Sequence, residues 1–223
     1  MQLTSPHGHP LAERTSATDN TSTLAAWDIA TVAALKALDS SLLSPGRIES
    51  VRAIEGRQFY WHPTSELTGD DQLVIRPTDV ASDEAGRWLA LPGQVVDIAL
   101  AFTYATADGA TLYTVPTGCN LLILSSYWEI TTGMTGGSSS AIGLASDQAG
   151  HTTAGDLLGG SSGDVAATLV AGDYIEGTLG TDLTNPIVLK AGKLVTFERI
   201  TSAFTAGAGN AHIVAVVLAN AGA

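Results

Sequence analysis

Phe59-Tyr60-Trp61-His62-Pro63-Thr64-Ser65, continued by Leu73-Val74-Ile75-Arg76-Pro77-Thr78 and closed by Gly86-Arg87-Trp88-Leu89, sets the reading of the first half of this chain. Each piece is a short β-branched or aromatic run that stops at a proline or a polar turn. Proline has no N–H to give to a sheet ladder, so Pro63 and Pro77 mark strand ends. Asp70-Asp71 supplies the turn between the first two runs, and a third strand starts near Arg87. The stretch carries two of the four tryptophans of the protein and no catalytic constellation. It predicts a small β-rich unit, too small to bury much core by itself.

Working outward, the segment before it predicts one short helix over Ile29–Leu38. Asp28 stands where a cap belongs, and Ile29, Val32, Leu35 and Leu38 recur every three residues. Ser44-Pro45-Gly46 stops it, and strands follow over Ile48–Ile54, Gln58–His62, Leu73–Arg76 and Arg87–Leu91. Residues 1–22 are polar, with Pro6, Pro10 and a Thr/Ser/Asn/Asp run, within an arm that extends to residue 27. Alone in water such a segment has little to bury. It is expected to be an extended arm held by a neighbouring subunit, with an arm folded back on its own chain as the alternative.

Beyond Leu91 the Ala-rich run ending at the turn dipeptide Asp108-Gly109 reads as a junction over 96–110. A second domain is expected over 111–223. Its expected strands are Leu112–Val115, Asn120–Thr132, Ala141–Ala145, Tyr174–Leu179, Pro186–Leu189, Leu194–Ser202 and Ala211–Leu218. Residues 146–173 and 205–209 read as loops. Short strands spaced by turn signals, without a helical period, predict an antiparallel β-sandwich of jelly-roll type. The expected fold is therefore mainly β: arm over 1–27, helix and small β module over 28–95, junction, then sandwich.

Composition narrows function. The 223-residue chain has 45% hydrophobic but only 14% charged residues, against roughly 25% in an average soluble domain. Surface covered by other chains explains a charge-poor sequence. With a net charge of −12 and three lysines (Lys36, Lys190 and Lys193), nucleic acid is an unsuitable partner, because phosphate binding needs clustered cations. The same holds for an anionic membrane, and no apolar run approaches the roughly 18 residues of a bilayer span. The N-terminus lacks the basic and hydrophobic regions of a signal peptide, so the expectation is a protein made and kept in a bacterial cytoplasm until assembly. Cys119 is the single cysteine; it allows no internal disulfide and reads as a small buried hydrophobe.

Chemistry was sought at four places. Gly159-Gly160-Ser161-Ser162-Gly163 has the spelling of a nucleophile elbow, with His212 and Asp182 as nominal partners. It lacks the strand-to-helix context that presents the serine, so a flexible loop is the reading. Glu129, Glu176 and Glu198 are the carboxylates a glycosidase would draw on, against the ordinary alternative of solvent-facing strand residues. Asp147, His151, Asp156 and Asp164 lie in one loop region suited to Ca²⁺ but without a known ligand spacing, and His7 with His9 could meet a metal on a symmetry axis. Trp61, Trp88 and Trp128 either form a sugar-stacking platform or pack as core, and Trp27 either staples the helix start or meets a neighbour. No cofactor, no metal and no enzymatic activity are expected.

The order Thr31-Val32-Ala33-Ala34-Leu35, Pro45-Gly46, Gly56-Arg57, Phe59-Tyr60-Trp61, Thr64-Ser65, Asp70-Asp71, Val74-Ile75-Arg76-Pro77-Thr78 and Gly86-Arg87-Trp88-Leu89 resembles a module near the N-terminus of tailed-bacteriophage tail spikes and head or tail fibres. It covers about residues 28–91. Leu112–Ile123, Ala141–Leu144 and Leu189–Phe197 are similar, more distantly, to C-terminal sandwich domains of phage decoration and fibre proteins. The resemblance implies a virion structural protein: a head decoration or head fibre attached to the capsid through its N-terminal region, and a homotrimer. Alternatives in the same families are a short tail fibre that contacts the host surface and a polysaccharide-degrading tail spike. Implied partners are further copies, capsid or tail proteins, and a host glycan or receptor. Trp27, Trp61, Arg76, Arg87 and Trp88 are the residues the resemblance places in the attachment and oligomer module.

Overall fold

The structure is a computed structural model that describes residues 27–136, 140–153, 155–159, 167–175, 187–200 and 203–218. Contacts divide the chain into two compact units. The first holds the described residues up to Glu66 with Ile75–Leu89, and the second holds Leu67–Val74 with the described residues from Ala90 onward. The expected arm, residues 1–26, lies outside the described residues.

The first unit carries β1 (Trp27–Ile29), the helix α1 (Val32–Lys36), β2 (Ile48–Val51), β3 (Arg57–His62), β4 (Val74–Ile75) and β5 (Arg87–Ala90), the last two at its border. The sheet order is β1-β2-β3-β5-β4, with β1 parallel to β2 and β2 antiparallel to β3. The helix is shorter than its sequence suggested. Its cap is Thr31, whose side chain accepts from the Ala34 N–H, and not Asp28. Asp28 is occupied in β1, opposite Ser50; a residue already committed to a strand ladder cannot open a helix. Leu35 is the helix residue that reaches the core.

Alternation explains the rest of this unit. On β3, Arg57, Phe59 and Trp61 face inward and Gln58, Tyr60 and His62 lie between them. Trp61 meets Trp88 at 5.5 Å between ring centres. Gly86 is required beside them: its φ is +120°, and an added Cβ would stand 2.8 Å from Trp61 Cη2. Gly86→Ala is expected to destabilise this unit by about 1–3 kcal/mol through backbone strain alone, with a further loss if Trp61 cannot move. Urea unfolding followed by tryptophan emission checks this; an unchanged midpoint would show that the loop relaxes freely.

The second unit is a jelly roll built from β6 (Val95–Thr103), β7 (Ala110–Thr114), β8 (Asn120–Thr135), β9 (Ala141–Ser146), β10 (Leu158–Gly159), β11 (Tyr174–Ile175), β12 (Ile187–Leu189), β13 (Leu194–Ile200) and β14 (Ala206–Leu218). Its pairing is nested. First strand pairs last, β6 with β14; second pairs second-last, β7 with β13; β8 pairs both β11 and β12; and the innermost pair is β9 with β10, all antiparallel. This long double hairpin rolls up by adding β14–β8 and β13–β9 ladders. The result is two sheets, β10-β9-β13-β7 and β11-β8-β14-β6 with β12 also on β8, the order of a jelly roll. The sheets meet through Phe102 of β6 stacked on Phe197 of β13 at 5.3 Å, and within its own sheet Phe102 stands edge-on to Trp128 of β8 at 5.4 Å.

Three segments differ from expectation, the first being Leu158–Gly159, which pairs with β9 inside the stretch 146–173 read as loop. Residues read as a junction hold most of β6, where Val96, Ile98, Leu100 and Phe102 are buried in strict alternation. Their outward partners include Ala99 and Ala101, whose small apolar side chains hide the polar half of a strand pattern. Residues 205–209, read as a loop, belong largely to β14. Gly207 and Gly209 face inward there because bulky neighbours fill their places: a Cβ on Gly209 would lie 3.1 Å from Phe102 Cζ. A glycine in a strand thus marks close approach and not a loop.

Candidate functional site

The outward face of the β11-β8-β14-β6 sheet is where the register gathers the chemistry of the second unit. Strand side chains alternate between faces, and the ladders align the outward ones in rows. Tyr174, Glu129, Asn210 and Ala101 form one row; Tyr127, His212 and Ala99 form the next. Ser125, Val214 and Asp97 follow, and Val188, Leu122, Val216 and Val95 make the last. A register shift between Val214 and Ala215 leaves Leu124 as an extra residue on β8. It also changes which positions point inward, from Leu121 and Ile123 to Ser126, Trp128 and Ile130. Such a bulge re-aims side chains. Ser126, turned inward, gives its hydroxyl to the Leu157 carbonyl at 2.7 Å.

The polar rows form one network. His212 Nδ1 lies 2.9 Å from Asp97 Oδ1, and its Nε2 lies 3.3 Å from Glu129 Oε2. The imidazole stacks on Tyr127 with ring centres 4.4 Å apart and 7° between planes. Tyr127 donates its hydroxyl to Asp97 at 2.6 Å, Tyr174 donates to Glu129 at 3.0 Å, and the Asn210 amide also donates to Glu129. Hydrogen bonds from Asn210, then His212 and Tyr174, hold the Glu129 carboxyl below the usual carboxylate range. The same bond to Glu129 pushes the Tyr174 phenol above its ordinary value.

The sign of the linkage follows. A carboxylate whose folded value is depressed stabilises the fold above its unfolded value, about 4.3 for glutamate, and loses that contribution as pH falls through the folded value. The melting temperature of the sandwich is therefore expected to drop as pH is lowered below about 4, and Glu129→Gln is expected to flatten part of that drop. Thermal melts of both proteins between roughly pH 6 and pH 3 check this; identical slopes would remove Glu129 from the account.

Both ring nitrogens of His212 face carboxylates, so neither is turned toward a hydroxyl as a nucleophile's base would be. The network gathers two carboxylates, an imidazole, two phenols and an amide on the outward face of one sheet, with both carboxylates already accepting hydrogen bonds. Residues 160–166 and Asp182, which the serine elbow would need, lie outside the described residues, as do Glu176, Asp164, His7 and His9. Glu198 is on β13, in the opposite sheet from Glu129, and accepts from Thr196 at 2.7 Å; the two carboxylates do not flank one cleft.

Among the described residues no group of three or more His, Cys, Asp or Glu is placed to hold a metal. Asp147 accepts the Leu194 N–H at 2.8 Å and meets Lys193 Nζ at 3.3 Å, and that backbone bond, ahead of Lys193, lowers its carboxyl value. Asp156 accepts the Thr153 N–H. The His151 backbone carbonyl accepts the Ser146 N–H at 2.8 Å. Cys119 is buried. No described helix is long and apolar enough to cross a membrane.

In the first unit Trp61, Arg87 and Trp88 lie inside. Trp61 and Trp88 are core, and Trp128 is likewise buried in the sandwich; none is a surface stacking platform. Arg87 is buried, and its guanidinium donates to the carbonyls of Glu84 and Gly86 at 2.8 Å each and to Ser82 at 3.3 Å. Burial, then the nearby Arg76, lowers its value below that of a free guanidinium. Arg76 is half-buried and reaches the Val80 carbonyl at 3.5 Å. Trp27 sits in β1 opposite Glu49; its side chain is outside the description. Sequence reasoning had named Glu129 and His212 separately and missed Asp97, Tyr127, Tyr174 and Asn210. The available signal was outward parity on three long strands.

No protein-family model matches the chain, and no curated protein matches its sequence. Two solved structures are similar. A chain in the capsid of Ralstonia phage GP4 shares 13% identity at a TM-score of 0.36, over 58% of this chain and 86% of that one. A chain in the cyanophage Pam1 capsid asymmetric unit shares 18% identity at a TM-score of 0.35, over 63% of this chain and 97% of that one. Likeness at this level carries no argument about fold or function.

Proposed function

We propose that this protein is a structural component of a tailed-phage virion, a head decoration or head fibre that attaches through its N-terminal region and assembles as a homotrimer. The observation that carries the reading is the ordered motif series from Thr31 to Leu89, which resembles the attachment module of phage fibres and spikes. Its signature residues Leu35, Phe59, Trp61, Trp88 and Leu89 are core residues, so the series specifies a packed unit. The charge-poor composition and the hydrogen-bonded polar network on the sandwich support a role in binding and not in turnover. On this reading the chain accumulates in the host cytoplasm and ends in the particle.

Mixing the purified full-length protein with phage particles lacking it, then sedimenting the particles, tests the reading. Saturable co-sedimentation is expected, lost when the N-terminal residues 1–26 are deleted. Many copies per particle mark a head protein, and a few mark a short tail fibre. No association, or release of oligosaccharide from host capsule by the pure protein, would overturn it.

A further inference from the structure

The outer face of the jelly roll breaks the rule that the solvent side of an antiparallel sheet is polar. Val188, Leu122, Val216 and Val95 stand opposite one another in a single row across all four strand positions. Leu124 and Val214 adjoin this row. Val95 is 58% exposed and Leu124 52% exposed. An apolar bar on a sheet face marks an interaction surface.

We infer that this face, with the Val188-Leu122-Val216-Val95 row at its centre, is the surface by which one copy of the chain binds another. The inference rests on the proposed self-association and says where on the molecule it occurs. The area suits it. Four strands about 4.8 Å apart and nine residues of about 3.4 Å rise give a flat patch of roughly 600 Å² before corrugation. A standard interface uses about 800 Å² per partner.

The charges suit it as well. The only charged carboxylates in the aligned rows are Asp97 and Glu129. Asp97 already accepts the Tyr127 hydroxyl, Glu129 already accepts from Asn210 and Tyr174, and the His212 ring stands between the two carboxylates. Covering charges that are already paired costs far less than covering bare ones. The rows contain no lysine or arginine, so a partner needs no acidic patch to match them. An apolar, sparsely charged surface is required opposite, and copies closed around a three-fold axis meet that need when the apolar row of each lies against the axis, where the three rows converge.

The edge of the sheet points to the same partner. β6 ends the sheet order, and no described strand pairs with its far side. Its nine residues Val95–Thr103 include no proline, lysine or arginine, the usual guards of an exposed edge. An edge whose one charged residue, Asp97, is already bonded to Tyr127 is tolerated beside an apolar face when a neighbouring copy covers both.

The test is the mass of the full-length protein in solution, measured by light scattering and sedimentation velocity at about ten micromolar, within the range where moderate interfaces assemble. Wild type is expected at about three times the 22.8 kDa chain mass. The Leu122→Arg/Val216→Arg variant is expected at one chain mass, with unchanged far-ultraviolet circular dichroism. In a second measurement, Leu124→Cys is alkylated by a maleimide. It is expected to react at least tenfold more slowly in the assembled protein than after dilution to monomer. Val170→Cys, 51% exposed in the loop before β11, is expected to react equally fast in both.

A trimer that survives the double arginine substitution, or a Leu124→Cys that labels as fast as Val170→Cys, would overturn the inference and leave trimerisation standing. A monomeric wild type would overturn the inference and self-association together, while co-sedimentation with particles still decides the virion reading.

Discussion

Trp128→Ala is expected to cost the sandwich about 3–5 kcal/mol, the range for removing a fully buried large aromatic. Trp128 is 0% exposed, sits on the inward side of β8 and meets Phe102 edge-on, and Phe102 in turn stacks on Phe197 from the other sheet. The Trp128 indole also lies against Gly159 of β10 in the other sheet, so this side chain helps join both layers. Truncating it removes the transfer free energy of the indole and leaves a cavity that two antiparallel ladders hold open. Relaxation is limited because the β8 register is fixed on one side by β14 and on the other by β11. A fall in melting temperature of roughly 10–20 °C follows for a unit of this size. Trp128→Phe keeps part of the contact and is expected to lose less than half as much. Urea unfolding of the three proteins checks the series. A Trp128→Ala midpoint within error of wild type would mean that the two layers do not depend on this contact.

Asp70→Ala is expected to rank next, at about 2–4 kcal/mol, because one carboxylate serves four donors. Its Oδ1 accepts the backbone N–H groups of Gln72, Leu73 and Val74 at 3.0, 2.8 and 2.7 Å, and its Oδ2 accepts the Tyr113 hydroxyl at 2.8 Å. Asp71, next in the turn, has φ of +58°, a left-handed conformation that a non-glycine residue holds only when its neighbours enforce it. Leu73 and Val74, both fully buried, follow directly. Alanine would leave backbone donors without acceptors beside a buried segment; a hydrogen bond to a charged group contributes about 1.5–3 kcal/mol net, and water replaces part of the loss at this half-buried turn. Asp70→Asn retains one acceptor oxygen and is expected to lose about half as much. Tyr113→Phe deletes only the fourth bond and is expected to cost about 1 kcal/mol. A double-mutant cycle between Asp70 and Tyr113 isolates that bond. Equal losses for Asp70→Ala and Asp70→Asn would show that the turn does not depend on the acceptor geometry.

Strand ends were legible wherever a residue type forbids continuation. Pro63 and Pro77 lie just outside β3 and β4, and Gly192 lies in the turn between β12 and β13. The helix start was misplaced because Asp28 and Thr31 are both good caps, and only the parallel ladder of Asp28 with Ser50 decides between them. β6 was missed because alanine at outward positions carries no polarity signal. The start of β14 was missed because glycine in a strand and glycine in a loop have the same spelling, and the difference lies in Met134 and Phe102 across the sheet.

The polar network was the least legible feature. His212 and Glu129 are 83 residues apart, and His212 and Asp97 are 115 apart. Nothing local links them. They meet because β14 lies between β8 and β6, and because the ladders set Asn210 opposite Glu129 and Val214 opposite Asp97.

By itself the sequence determined a mainly β protein, two regions of different character and a composition poor in charge, because alternation, proline placement and composition act over a few residues; the burial of Trp61, Trp88 and Trp128 came from the fold. Tertiary structure alone decided the jelly-roll nesting, the single apolar row across four strand positions, and the joining of Asp97, His212 and Glu129. Those depend on strand register, where a slip of one residue would send every side chain to the opposite face.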